Sequence, residues 1–514
     1  MPHRALLART LLRSPRLAAA ALIASVTASL ISWAVASPIG ASPDDDFHLV
    51  SAWCASTSRA TCEEGSSEQT RTVPSALVSV ACFAFDPEAS ASCQGTSLSD
   101  GGDSSLVTAR GNFDGTYPPL FYDASGVLAS NNLVASAMGM RVLNLALFVG
   151  LASAASILMP RTRRVAAHLA WLITAVPLTM FLLASNNPSG WAITGIAVAL
   201  PSLWGAIEST GRRRCALLAI TLVAGLMAVG SRADAAAYVV AGLFSIWALA
   251  GLRLRTTPWP VFVTLGVVSV SALLVLATTR QVADATGGLA DASEDSAGGL
   301  GLLGYNVLHL PTLWAGGFGA TGLGWLDTAL PPLVTWASAA SFIAVMFVAM
   351  RSMTRAQCVV LAGVGTALIA LPLALLQRSG DVVGANVQPR YLWPLIVAAA
   401  IIVLVRKDGR LPTFGRLQVG LLGCAIAGAH SVALYTTMRR FITGTDSRAA
   451  SLNVGIEWWW DDIGSPMLWW AVGSVSFAVA TIIVFQSVVA APRKPALAPA
   501  PSDSASTARE SRLD

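Results

Sequence analysis

Three carboxylates and an imidazole lie close together in the segment Ser42–His48, which directly follows the first apolar run of the chain. The segment reads Ser-Pro-Asp-Asp-Asp-Phe-His. A helix that begins at its Ser-Pro pair would place Asp44 and Asp45 on the same face as His48, four and three residues before it. A carboxylate in this position could act as a general base, and the imidazole could assist at a metal ion or a phosphate.

The same residues also fit an ordinary helix start. Ser42 and Asp45 have the spacing of a capping box, and acidic residues stabilise the first turn of any helix. Capping explains one or two carboxylates, but it does not explain three carboxylates together with His48. Asp44 and Asp45 are therefore the candidate catalytic residues. They are also the candidate ligands if the site uses a divalent cation, Mg²⁺ or Mn²⁺.

The composition is that of a multi-pass membrane protein. Hydrophobic residues make up 54% of the chain and charged residues only 12%, whereas soluble domains carry about 25% charged residues. A spanning helix needs about 20 apolar residues, and many runs reach that length. We predict an all-α polytopic bundle of about twelve transmembrane helices with a large extracytoplasmic first loop. The predicted spans are residues 17–36, 136–158, 165–184, 191–208, 215–230, 236–252, 259–278, 330–350, 357–376, 391–405, 417–437 and 467–490.

Arginine and lysine residues occupy alternate loops, beginning before the first span. Basic loops stay in the cytoplasm, so both termini are predicted to be cytoplasmic and the protein to lie in the plasma membrane. These residues sit in short loops between helices, so the net charge of +5 does not indicate binding to nucleic acid. The predicted parts are the cytoplasmic N-terminus and first helix (1–36), an extracytoplasmic loop (37–135), a multi-span membrane domain (136–490) and a disordered cytoplasmic tail (491–514).

This topology places the remaining polar clusters on the extracytoplasmic face. A transporter usually carries its polar groups near the bilayer midplane, in broken helices. Clusters at one interface are instead typical of an enzyme that acts on a membrane-embedded substrate. The clusters lie at residues 44–46, 186–187, 232–234, 284–327, 378–390 and 439–462.

Four of the seven cysteines share the first outer loop: Cys54, Cys62, Cys82 and Cys93. An oxidising compartment favours two disulfides among them, with three pairings open. Zinc is the alternative, but the spacing lacks the close Cys-x-x-Cys pair of most zinc sites. We predict that these cysteines stabilise the loop.

Arg390 is the strongest candidate for binding a phosphate group. It stands at the outer mouth of a predicted span, where arginine is disfavoured by the positive-inside rule, and a guanidinium matches phosphate bidentately. The alternative is an arginine that snorkels to the interface. Tyr391 follows in the same segment, and Arg378 is a similar candidate that lacks a motif.

Further candidates for substrate binding are Arg232, Asp234, Trp459 and Asn187. Arg232 and Asp234 flank a short turn between two apolar runs, where an internal ion pair would be structural. Trp459 belongs to the run Trp458–Trp460, which fits an aromatic interface belt as well as a platform for sugar rings.

The Pro-Asp-Asp-Asp-Phe-His string resembles the hallmark of a bacterial family of multi-pass membrane proteins classed as a domain of unknown function. That hallmark is Pro-Asp-Glu-x-x-His just after the first helix, and here Asp45 takes the place of the glutamate. Further short stretches resemble the actinobacterial branch of the family. They are Asn187–Gly190, Ser231–Asp234, Gly322–Asp327, Gln388–Pro394 and Tyr435–Gly444, the last with Arg439 and Arg440.

That family in turn resembles the GT-C glycosyltransferase superfamily. The resemblance implies transfer of a sugar from a polyprenyl-phosphate donor to an envelope glycan or glycolipid acceptor, on the outer face of the membrane. It implies that Asp44 or Asp45 is the base and that His48 binds the phosphate or tunes the pKa of that acid. Two rival functions remain: a transporter or flippase for lipid-linked glycans, and a non-catalytic envelope-assembly protein.

Overall fold

The computed structural model describes residues 14–55, 62–65, 67–95, 98, 104–281, 299–385 and 387–491. The basic segment 1–13 and the predicted disordered tail from 492 lie outside these residues, as do residues 282–298 of the predicted outer cluster. The described residues form seventeen α-helices. In chain order these are α1 (Pro15–Val35), α2 (Asp45–Cys54), α3 (Ala76–Ser79), α4 (Leu120–Gly126), α5 (Leu133–Leu158), α6 (Arg161–Thr174), α7 (Pro177–Leu183), α8 (Pro188–Glu208), α9 (Gly211–Val229), α10 (Ala233–Leu249), α11 (Trp259–Thr278), α12 (Leu300–Gly316), α13 (Pro332–Met350), α14 (Arg355–Ser379), α15 (Pro389–Leu404), α16 (Arg416–Ile442) and α17 (Pro466–Val489).

Each of the twelve predicted spans is helical. In the described part of the chain, eight helices are long and apolar enough to cross a membrane, and a bent pair would make a ninth. The apolar helices α10 and α15 are shorter, and α9 carries three arginines in its first turn. The protein is therefore a multi-pass helical membrane protein.

The predicted span at 165–184 is wrong as a single helix. It is broken into α6 and α7, which meet at an angle of 100°. The physical cause is Pro177, which has no N–H to donate to the preceding turn. The hydroxyl of Thr179 donates a hydrogen bond to the carbonyl of Thr174 at 2.6 Å, so this buried acceptor is satisfied despite the break.

Helix α12 lies in a stretch that the sequence predicts to be part of an outer loop. Its sequence is apolar, but Asn306, His309 and Pro311 interrupt the hydropathy pattern. Asn306 is nevertheless satisfied in the fold, because it donates to the carbonyl of Asp381 and accepts from the N–H of Val383. A polar side chain with two tertiary partners can be buried at little cost.

The predicted outer loop, residues 37–135, holds a small sheet, so the fold is not purely α-helical. Strands β1 (Glu63–Glu64), β2 (Arg71–Pro74) and β3 (Ser105–Thr108) pair antiparallel in sequence order. Thr72 of β2 lies opposite Glu63 on one side and Val107 on the other. The predicted two disulfides are present, and they join Cys54 to Cys62 and Cys82 to Cys93.

Helix α8 forms the centre of the bundle, and 89% of its most apolar stretch is buried. It packs against α9, α10 and α15. The arginine-rich loops meet at one end of the bundle, where Arg163 donates to the carbonyl of Lys407 at 2.9 Å and Arg213 bonds the carbonyl of Leu158. We call this the basic end. The turns before α2, α8, α10 and α15 lie at the opposite end, which we call the site end.

Candidate functional site

Asp44 stands at the start of α2 in a left-handed backbone conformation, with a φ of 58°. The helix begins at Asp45, so the predicted start at Ser42 and Pro43 is wrong. A left-handed residue interrupts the helical path, and Asp adopts this conformation more readily than most residues do. The Asp44 side chain caps no backbone amide of the helix. Helix capping therefore does not explain this carboxylate.

Arg390 holds the Asp44 carboxylate from the first turn of α15. Its Nη2 donates to Asp44 Oδ2 at 2.5 Å, and its Nη1 donates to the carbonyl of Pro43 at 3.1 Å. The Arg390 side chain is only 2% exposed, whereas that of Asp44 is 32% exposed. The pair thus joins a buried guanidinium to a carboxylate that solvent or a ligand can reach.

A second guanidinium contacts the same carboxylate from the outer loop. Arg110 donates to Asp44 Oδ1 at 3.3 Å and pairs with both oxygens of Asp46 at 2.8 and 2.9 Å. Asp46 therefore positions Arg110, which is itself 45% exposed. Asp44 lies between one buried arginine and one exposed arginine.

Tyr391 lies between two buried arginines. The guanidinium of Arg232 is 4.3 Å from the centre of the Tyr391 ring, and that of Arg390 is 5.1 Å from it. Arg232 also lies 5.6 Å from the ring of Tyr117 and pairs with both oxygens of Asp234. The internal ion pair that was the structural alternative for Arg232 and Asp234 is present, and their role in substrate binding stays a prediction. This ion pair is part of the same cluster as Asp44, because Tyr391 connects the two arginines.

Asn187 fixes the backbone next to Asp44. It caps the start of α8 by accepting from the N–H of Ser189, and its Nδ2 donates to the carbonyl of Pro43 at 2.9 Å. Arg390 bonds this same carbonyl. The central helix and α15 therefore position the left-handed turn together.

Asp45 has a different environment, although it is the next residue. It is fully buried, and its Oδ2 accepts from the N–H of Gly40 at 2.9 Å. Burial raises the pKa of Asp45 to about 7, against the opposing charge of Arg141. Arg141 is a buried residue of α5 that donates to the carbonyls of Ala34, Ser37 and Pro38. Asp45 is thus a buried loop-anchoring group that a substrate does not reach in this structure.

His48 is also buried, at 2% exposure, and its Nδ1 lies 2.9 Å from the hydroxyl of Tyr122. Burial lowers the pKa of His48 to about 3, so the imidazole is neutral at pH 7. Its ring contacts Phe47, Tyr117 and Tyr122. In this position it supplies packing and a hydrogen bond rather than positive charge.

Asp44 is ionised across the physiological range. Partial burial by itself would raise the pKa of Asp44, but the charge and hydrogen bond of Arg390 hold it at about 2, below the ordinary value of 3.8. Of the three acids in the motif, Asp44 is the one that combines a negative charge, an accessible oxygen and two arginine partners.

The carboxylates here do not form a metal-binding set. Within the described ranges, no group of three or more His, Cys, Asp or Glu side chains is placed to hold an ion. The oxygens of Asp44 and Asp46 accept from arginines, and Asp45 is turned to Gly40. The donor set therefore does not fit the Mg²⁺ or Mn²⁺ considered from the sequence.

Two candidates lie away from this cluster. Arg378 is exposed in the last turn of α14, and it makes no ion pair with any described residue. Trp459 donates to the carbonyl of Gly464 at 2.7 Å and packs edge-on against Trp458. Neither side chain contacts Asp44, Arg390 or Tyr391 in the structure.

Sequence reasoning missed several residues that build the site. Arg141 was detectable, because an arginine inside a predicted span is rare and generally has a buried role. Arg110 and Tyr122 carried no signal, since both lie in the polar loop without a motif. Arg440 of α16 was noted only as part of the Tyr435–Gly444 stretch, without a role. It pairs with Asp327 at 3.0 Å and donates to the carbonyls of Phe83 and Ala89, so it ties the Cys82–Cys93 loop to the membrane helices.

A family model described as a predicted membrane protein (DUF2142) matches residues 28–399. The matched range runs from α1 into α15 and includes Asp44, Asn187, Arg232 and Arg390. A comparison with curated proteins finds no match.

Proposed function

We propose that this chain, which belongs to the DUF2142 family of predicted membrane proteins, is a GT-C-like glycosyltransferase. Its donor would be a sugar linked to polyprenyl phosphate. Its acceptor would be a hydroxyl of an envelope glycan or glycolipid on the outer face of the plasma membrane. The observation that carries the proposal is the accessible Asp44 carboxylate, which lies between Arg390 and Arg110 at the site end of the bundle.

In the proposed reaction, Asp44 is the general base. The acceptor oxygen attacks the anomeric carbon of the donor sugar, and the bond between that carbon and the phosphate oxygen breaks. Polyprenyl phosphate leaves with the bonding electron pair, and Asp44 takes the proton of the acceptor hydroxyl. The proton then passes to the released phosphate or to water, which restores the carboxylate. Metal ions take part in no step of this scheme.

The arginines supply the positive charge that a phosphate leaving group needs. A guanidinium fork matches a phosphate bidentately, and buried arginines act in a low-dielectric surrounding. Arg390 and Arg232 both lie against the Tyr391 ring, so positive charge is concentrated next to Asp44. Three arginines in this cluster face three aspartates, namely Asp44, Asp46 and Asp234. An incoming phosphate therefore competes with a carboxylate for its arginine.

This competition activates the base. While Arg390 holds Asp44, the pKa of that carboxyl is about 2 and it is a poor proton acceptor. A phosphate that draws Arg390 towards itself would remove the main cause of the low pKa. Asp44 would then become more basic when the donor is bound, which couples donor binding to acceptor activation.

The donor would enter beside Pro43 and Arg390. The gap there is lined by Leu178, Phe181 and Leu323. It measures about 10 Å³, which is about the space that one water molecule needs. Donor binding under this proposal therefore widens the gap. Gly322, in the neighbouring turn, has a φ of 80°, a backbone conformation that glycine adopts at no steric cost.

The decisive experiment replaces Asp44 by Asn and measures transfer of labelled sugar from a panel of polyprenyl-phosphate sugars in isolated membranes. Asn tolerates the left-handed conformation and keeps the shape, so the variant should insert normally. Removal of a base costs about 10²–10⁴-fold in rate. Asp123→Asn is the matched control, because Asp123 is an exposed carboxylate of the same loop without an ion pair to a described residue.

Complementation of a deletion strain provides the second readout. Envelope glycan synthesis should stop with Asp44→Asn and continue with Asp123→Asn. Full activity of a normally inserted Asp44→Asn protein would refute the catalytic role. The two rival functions, a transporter for lipid-linked glycans and a non-catalytic envelope-assembly protein, would then be the remaining hypotheses.

A further inference from the structure

A large cavity lies at the basic end of the bundle, away from the Asp44 cluster. It measures about 620 Å³ and is lined by residues of α1, α5, α6, α8, α16 and α17. Cavities of about 300–1,000 Å³ are typical of small-molecule sites. None of its lining residues belongs to the Asp44 cluster.

The depth of the cavity matches one leaflet of a bilayer. Along α1 its wall runs from Pro15 to Val26, which is about 16 Å at 1.5 Å per residue. The hydrocarbon core of a bilayer is about 30 Å thick, so one leaflet contributes about 15 Å. Along α5 the wall covers Phe148 to Met159, the half of that helix nearest the basic end.

The walls are apolar and built largely from small side chains. Ala18, Ala19, Ala152 and Ala155 leave the space between the helices, and Leu22 and Trp171 contribute larger apolar surfaces. Such a wall suits a hydrocarbon chain, because it offers dispersion contacts and few groups that need hydrogen bonds.

The rim of the cavity carries positive charge without a matching acid. Arg161 and Arg164 line it, and neither makes an ion pair with a described residue. Their contacts are long hydrogen bonds to carbonyls, at 3.5 Å to Ala490 and 3.4 Å to Ser156. Between them, Arg163 is neutralised by Glu208. The positive-inside rule explains basic loops, but it does not explain a leaflet-deep apolar cavity directly behind two unpaired arginines.

We propose that this cavity binds one anionic phospholipid from the leaflet at the basic end. An acyl chain occupies the space between α1 and α5, and Arg161 and Arg164 bind the headgroup phosphate. The bound lipid fills the gap between α1 and its neighbours, so it acts as a structural ligand of the first helix. The proposal does not depend on the glycosyltransferase reaction.

The test is native mass spectrometry of the full chain, purified in detergent and mixed with phosphatidylglycerol or with phosphatidylcholine of the same acyl composition. Wild-type protein should retain one phosphatidylglycerol and little phosphatidylcholine. Ala152→Phe fills the cavity and should remove retention of both lipids. The double variant Arg161→Gln/Arg164→Gln should lower the affinity for phosphatidylglycerol about 30-fold. The reason is that each basic residue attracts an anionic lipid, and the variant removes two of them.

Matched controls lie elsewhere on the membrane helices. Ala362→Phe adds the same ring to an exposed position of α14, and Arg355→Gln removes an exposed charge from the start of that helix. Both should bind lipid as wild type does. Ala19→Phe fills the cavity from the opposite wall, so it tests the site again if Ala152→Phe folds poorly. Equal retention of the two lipids, or wild-type binding by the filled variants, would overturn the proposal.

Discussion

Arg390 donates a hydrogen bond to the carboxylate of Asp44 across 2.5 Å, although 346 residues separate the two in the chain. The contact joins the beginning of the first outer loop to the beginning of α15. It leaves Arg390 buried and Asp44 partly exposed. In the proposed reaction this asymmetry gives the two partners different roles: the carboxylate meets the acceptor, and the arginine sets the charge and position of that carboxylate.

We expect Arg390→Lys to weaken binding of polyprenyl phosphate about tenfold or more, although the charge is kept. Lysine lacks the planar fork, and one hydrogen bond to a charged group contributes about 1.5–3 kcal/mol. The probe is polyprenyl phosphate itself, the product common to every donor of this class, so the sugar need not be known. Arg378→Lys, on an exposed side chain, is the control. Unchanged affinity for polyprenyl phosphate would mean that Arg390 has a structural role only.

Asp45→Asn should leave sugar transfer within a few-fold of wild type, because Asp45 is buried and turned to Gly40. Its effect should appear in stability instead. The pKa of Asp45 is about 7 in the folded chain and near 3.8 when unfolded. As pH rises, the unfolded chain therefore loses this proton at a lower pH than the folded chain does. The contribution of Asp45 to stability falls as pH rises from about 4 to 7.

The measurement is the apparent melting temperature in detergent between pH 5 and pH 8. Relative to wild type, Asp45→Asn should gain stability as pH rises, by at most about 1.4 kcal/mol per pH unit, and the gain should level off above pH 7. Asp44→Asn should show no such trend in this range, because the pKa of Asp44 is about 2. Parallel curves for wild type and Asp45→Asn would contradict the assignment.

Mass spectrometry of unreduced peptides should identify the pairs Cys54–Cys62 and Cys82–Cys93 and none of the other pairings. Alkylation of denatured, unreduced protein should label only the other three cysteines, Cys215, Cys358 and Cys424. Replacing both Cys82 and Cys93 by serine should cost about 2–4 kcal/mol of loop stability. Any label on a loop cysteine would refute the pairing.

The cellular side of the site end is testable with reporter fusions. A phosphatase that is active only outside the cytoplasm should be active after Glu68, an exposed residue of the first outer loop, and inactive at the C-terminus. The reason is the concentration of arginines at the basic end. An inactive phosphatase after Glu68 would place the Asp44 cluster in the cytoplasm and refute the proposed reaction with an outer-face donor.

The sequence by itself determined the properties that depend on local composition. Twelve apolar stretches were predicted to be helical and are helical, because a run of apolar residues buries its backbone polar groups best as a helix in a membrane. The two disulfides followed from four cysteines in one loop. For Arg232 and Asp234 the sequence left open a structural ion pair or substrate binding, and the structure shows the ion pair. The break between α6 and α7 was missed, since hydropathy does not register the geometry of a single proline.

Only the tertiary structure decided how Asp44 and Asp45 differ. Their sequence environments are almost the same, yet a single left-handed residue sends one carboxylate to Arg390 and Arg110 and buries the other beside Gly40. The partners that set these environments come from α5, α15 and the outer loop, and Arg110 lies 66 residues from Asp44 and Arg390 lies 346. The charge state and exposure of a carboxylate depend on desolvation and on neighbouring charges, and long-range packing creates both.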